Sequence, residues 1–96
     1  MVKRILFICI VILMSFALHA LELSIDGIQP NQIALSWTRV PSALTYDVYL
    51  DDRYQGTVNT PFYKIEHLVS HTSYDVRIEA KRGESVIDRE TIEATT

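Results

Sequence analysis

Residues 46–50 read Tyr46-Asp47-Val48-Tyr49-Leu50, and this stretch decides the fold. Tyr46, Val48 and Leu50 alternate with Asp47 and Tyr49, which gives one apolar and one polar side when the backbone is extended. That period of two belongs to a strand with one face on a core and the other in water. A helix needs apolar positions three to four residues apart, which this segment does not offer.

The same period continues in both directions. On the C-terminal side, Asp51-Asp52-Arg53 reads as a turn into a short strand around Tyr54 to Val58, and Asn59-Thr60-Pro61 interrupts the chain again. Tyr63 and Ile65 then point inward, with Leu68 closing the run. Tyr74, Val76, Ile78 and Ala80 alternate with Asp75, Arg77, Glu79 and Lys81, and a hairpin centred on Gly83 leads into a last strand holding Ile92 and Ala94. On the N-terminal side, Ile33, Leu35 and Trp37 alternate after a Pro30-Asn31 turn, and Leu21, Leu23 and Ile25 alternate ahead of Asp26-Gly27. Seven short strands with no convincing helical face predict an all-β sandwich or barrel. Neither an internal repeat nor a low-complexity tract is present.

At 96 residues the chain has room for one small domain, and two are excluded. Nine basic and twelve acidic residues give a net charge of −3, without the basic excess expected of a nucleic-acid partner. The 48% hydrophobic content is unevenly placed: residues 5–18 are almost entirely apolar, while the rest of the chain alternates polar and apolar positions. With Lys3 and Arg4 before that stretch and Leu18-His19-Ala20 after it, residues 1–20 have the three-part layout of a secretory signal peptide. The expected cleavage follows Ala20, with Ala17 as the alternative. The apolar run is shorter than the roughly 20 residues that cross a bilayer, so a membrane is a partner only if this segment stays uncleaved. Cys9 is lost with the peptide, since the bulky Ile8 before it is wrong for lipid attachment. Residues 21–96 then form an exported domain, secreted, periplasmic or at the cell surface, with no disulfide. Its seven basic and twelve acidic residues leave a charge of −5.

Three segments together resemble the fibronectin type III family across nearly all of residues 21–96. Ile33-Ala34-Leu35-Ser36-Trp37-Thr38 resembles the family's second strand, whose tryptophan is central to the core, and Tyr46-Asp47-Val48-Tyr49-Leu50 resembles its third. Leu68, Thr72 and Tyr74 resemble its Leu-x-Pro-x-Thr-x-Tyr corner, with Ser70 in place of proline. The run from Tyr46 to Val58 and the following Phe62 to Leu68 look most like compact modules attached to bacterial secreted carbohydrate-active enzymes. The resemblance implies a seven-stranded antiparallel immunoglobulin-like β-sandwich, and a tyrosine hydroxyl bonded back to nearby backbone at the corner. The expected core is Trp37, Tyr46, Val48, Leu68, Tyr74 and Val76.

Few residues offer chemistry. His67 and His71 flank the corner loop without a nucleophile, an elbow motif or further ligands at metal spacing, so neither a catalytic nor a metal site is expected, and no cofactor. Asp51-Asp52 lacks the spaced ligand series of a calcium loop. Arg82-Gly83-Glu84 sits where some fibronectin modules carry Arg-Gly-Asp, but the longer glutamate departs from that pattern and a glycine hairpin explains it. The candidate binding face is Tyr49, Tyr54, Arg77 and Glu79, with Asp47 on the same exposed side, although ordinary cross-strand pairs account for such a face as well. The reading is a non-catalytic binding or spacer module that mediates protein or surface interaction, its ligand an unknown protein or polysaccharide. The alternatives are an accessory carbohydrate-binding module that supports a secreted hydrolase through a polysaccharide, and an anchored envelope component.

Overall fold

The computed structural model of the chain describes residues 21–96. Residues 1–20, where a signal peptide is expected, and Cys9 among them lie outside the described residues. Seven strands run in order: β1 (Leu23–Gln29), β2 (Gln32–Trp37), β3 (Thr45–Leu50), β4 (Arg53–Val58), β5 (Phe62–Ile65), β6 (Ser73–Arg82) and β7 (Ser85–Thr95). They make two antiparallel sheets, β1-β2-β5 and β4-β3-β6-β7, whose inner faces share the core of an immunoglobulin-like sandwich.

The core follows the alternation. Ile33, Leu35 and Trp37 of β2, Tyr46 and Val48 of β3, Ile65 of β5, Val76, Ile78 and Ala80 of β6 and Ala94 of β7 are all buried. Leu21 and Val40, outside the strands, join them. Of the six residues expected in the core, Trp37, Tyr46, Val48 and Val76 are buried, while Leu68 and Tyr74 are half-buried and pack against its rim. Those two sit at the corner where the chain passes from one sheet to the other, so they close the end of the sandwich.

That corner is built as the resemblance implies. The Val69 amide donates to the Tyr74 hydroxyl at 2.9 Å, and the Thr72 hydroxyl donates to the Ser70 carbonyl at 3.0 Å. His67 and His71, on either side, have φ of 62° and 53°, a left-handed backbone that histidine tolerates better than most side chains. Without a proline at position 70, the loop is tied down from outside: Leu68 donates to the Asn31 carbonyl at 2.9 Å, and the Thr96 hydroxyl donates to the Val69 carbonyl at 2.6 Å.

The expected stop at Asp26-Gly27 is a bulge instead. β1 runs through it, and the pairing with β2 shifts between Ile25 and Gly27. The extra residue is accommodated because Asp26 accepts a hydrogen bond from the Ser36 hydroxyl at 2.8 Å. The last strand also begins earlier than Ile92 suggests, because β7 pairs with β6 from Ser85 onward around Gly83-Glu84. Positive φ at Gly83 alone in that two-residue loop matches a type II′ turn. The β3–β4 hairpin turns on Asp51 and Asp52, with φ of 49° and 64°, the type I′ pattern usually served by Asn-Gly.

Candidate functional site

The outer face of the four-stranded sheet gathers the expected binding residues because register places them in neighbouring rows. Tyr49 lies opposite Tyr54 on β4 and Arg77 on β6, and Asp47 lies opposite Thr57 on β4 and Glu79 on β6. The Arg77 guanidinium sits 4.3 Å from the centre of the Tyr49 ring. Tyr49 meets Tyr54 edge to face at 5.9 Å. The guanidinium also bonds Asp52 of the hairpin turn and, at 3.1 Å, Glu79. These bonds, that to Asp52 first, hold the Arg77 pKa above the usual arginine value despite partial burial.

A second chain of contacts runs through Asp47. Tyr54 and Thr57 share a hydroxyl hydrogen bond at 2.5 Å, the Thr57 hydroxyl donates to Asp47 Oδ1 at 2.6 Å, and Lys81 reaches Asp47 Oδ2 at 3.2 Å. Asp47 was expected on the wet side with Tyr49, yet it is only 6% exposed. It does lie on the outer face. The neighbouring Thr57 and Lys81 cover it, and their donors make a nearly buried carboxylate tolerable. Sequence parity gave the face of Lys81 but not the pairing of Thr57, which depends on a register shift between Val48 and Tyr49. Tyr54, at 58% exposed, is the most open aromatic ring of the cluster.

The side-chain hydrogen bond and the charge of Asp47 raise the Lys81 pKa above its ordinary 10.5. A cation whose folded value is raised stabilises the fold fully below its unfolded value, and that contribution is lost as pH climbs through the folded value. Urea midpoints of the wild type and Lys81→Gln should therefore differ by a constant amount between about pH 8 and pH 10 and converge above it. A difference unchanged up to about pH 12 would mean that Lys81 does not act through its charge.

The other candidates do not assemble. His67 and His71 are exposed, and no group of three or more His, Cys, Asp or Glu among the described residues is placed to hold a metal ion. Arg82 and Glu84 flank the tight Gly83 turn, where Arg82 donates to the Ser42 carbonyl at 3.3 Å. An open depression of 260 Å³ lies beside β5 between Gln55 and His67. Tyr63 forms part of its wall, and its hydroxyl is 3.5 Å from the Gln55 carbonyl. Among the described residues no helix is long and apolar enough to cross a membrane.

The fibronectin type III domain family matches residues 19–95. The chain belongs to that family. Similar solved structures agree on the fold. The human collagen alpha-1(XX) fibronectin type III domain is 21% identical with a TM-score of 0.70, over 77% of this chain and 79% of that one. The central fibronectin III array of RIM-binding protein is 20% identical with a TM-score of 0.67, over 80% of this chain and 31% of the array. The structure of FN3tt mut is 24% identical with a TM-score of 0.63, over 75% of this chain and 83% of that one. No curated protein sequence matches the chain. Fibronectin type III domains are typically non-catalytic binding or spacer modules, and the fold they share does not name a ligand.

Proposed function

We propose that this fibronectin type III domain is exported and acts outside the cytoplasm as a non-catalytic recognition module, contacting a protein partner through Tyr49, Tyr54, Arg77 and Glu79. The observation that carries the reading is the held cluster itself: Tyr54 is 58% exposed beside an arginine already fixed by Asp52, Glu79 and the Tyr49 ring. Tyrosine and arginine dominate the energetics of protein interfaces, and side chains already ordered lose less freedom on binding. Sugar stacking needs open ring faces, and of the two tyrosines Tyr54 alone offers one, since the guanidinium covers a face of Tyr49. That favours a protein over a polysaccharide. Export rests on the residue pattern of positions 1–20.

Two measurements test the reading. Intact mass and fractionation of the chain expressed with its own N-terminus in a secreting host should show loss of residues 1–20 and recovery in the exported fraction. A membrane-bound chain that keeps Met1 would replace the free module with an anchored envelope component. A photo-reactive residue at position 54 of the exported protein should give one discrete protein adduct on the producing cells, weakened roughly tenfold by Arg77→Ala. Retention on insoluble polysaccharide that Tyr54→Ala abolishes, with no protein adduct, would turn the assignment to carbohydrate.

A further inference from the structure

The first described residue is anchored through both its side chain and its backbone. Leu21 precedes β1, its side chain is fully buried in the core, and its backbone nitrogen donates to Asp88 Oδ2 of β7 at 2.9 Å, across 67 positions of sequence. The other Asp88 oxygen accepts the Arg89 amide at 2.8 Å, so the carboxylate is oriented from two sides. Asp88 lies opposite Ala80 in the ladder, at the edge strand of the larger sheet. The bond to Leu21 therefore crosses from the N-terminal segment to β7, tying the two sheets together along one open side.

Leu21 is also the residue that follows the expected cleavage point. We infer that Asp88 is a clamp for the new N-terminus: hydrolysis of the Ala20–Leu21 peptide bond, with water adding to form the Ala20 carboxylate and the Leu21 amine, turns the amide donor facing Asp88 into an ammonium. This rests on the export reading. The neutral amide bond to a carboxylate becomes an ion pair at the same atom, which is the stronger contact in a half-buried place. The exported form gains stability that the precursor lacks, and cleavage at the alternative Ala17 would leave a three-residue extension that forfeits it.

The test uses residues 21–96, which hold the seven strands and the core of the described residues, prepared so that Leu21 carries a free amine. A second form carries Gly-Ser ahead of Leu21, and both are made with Asp88 and with Asp88→Asn. The free-amine chain should have an unfolding constant roughly fivefold lower than the extended chain, and Asp88→Asn should erase that ratio. Equal unfolding constants, or a ratio that survives Asp88→Asn, would overturn the clamp while leaving export untouched. The mass of the exported protein judges export separately: a chain starting at Leu21 supports both readings, and one starting at Leu18 keeps export but removes the clamp.

Discussion

Trp37→Ala should cost this domain about 3 to 5 kcal/mol of stability, the range for losing a large aromatic from a packed core. A domain of this size holds roughly 0.05 to 0.15 kcal/mol per residue in total, so the loss would consume a large share of it. Three features put Trp37 at the centre. It closes the alternating run of β2 at 6% exposure. Its ring meets Tyr46 of the opposite sheet edge to face at 5.5 Å. Its amide donates to the Pro61 carbonyl at 2.9 Å as the chain returns toward β5. With no disulfide available, packing between the sheets has no covalent substitute. Urea unfolding followed by far-ultraviolet circular dichroism measures the change, because the only tryptophan is the residue removed. A loss below about 1 kcal/mol would mean that the sheets are held chiefly elsewhere.

Trp37→Phe sharpens the experiment. The Trp37 indole N–H is buried and finds no acceptor among the described residues, so it carries an uncompensated desolvation penalty of about 1 to 3 kcal/mol. Phenylalanine removes that donor while keeping most of the apolar ring. Its cost should therefore be less than half that of alanine. A phenylalanine variant as unstable as the alanine one would place the value of Trp37 in the full indole volume alone.

Nearly the whole architecture was legible because it depends on parity. Whether Val48, Val76 or Ile33 faces inward is a local property of an extended chain, and each is fully buried. The corner was legible too, since Leu68, Thr72 and Tyr74 carry it within seven residues. What escaped depends on pairings between distant segments. Asp26-Gly27 has the composition of a turn, and only the neighbouring β2 shows that it is a bulge. Asp47 sits at a polar-face position, and only Thr57 and Lys81 explain how a carboxylate is buried there. Of the proposed recognition face, Tyr49, Arg77 and Glu79 were placed by alternation. That Tyr54 meets Tyr49, and that Asp52 holds Arg77, required the register across the hairpin.

Tyr46 shows the same limit and carries the second large effect. Alternation places its ring in the core but is silent on its hydroxyl, which accepts a hydrogen bond from the buried Val40 amide at 2.9 Å. Residues 38–44 cross from one sheet to the other, and this bond fastens their middle while Leu44 donates to the Lys81 carbonyl at 2.8 Å at their end. Tyr46→Phe leaves the Val40 amide buried without that acceptor, a penalty of about 1 to 3 kcal/mol. Tyr74→Phe removes a hydroxyl from an amide of equal 2.9 Å distance, but Val69 is 66% exposed and water can replace the lost partner. That change should cost about 1 kcal/mol or less. Chemical denaturation of both variants compares the two crossings directly. The order Tyr46→Phe above Tyr74→Phe is expected, together with faster amide exchange at Val40. If the order reverses, the corner near Tyr74, and not the buried crossing through Val40, is where hydroxyl bonding fixes one sheet onto the other.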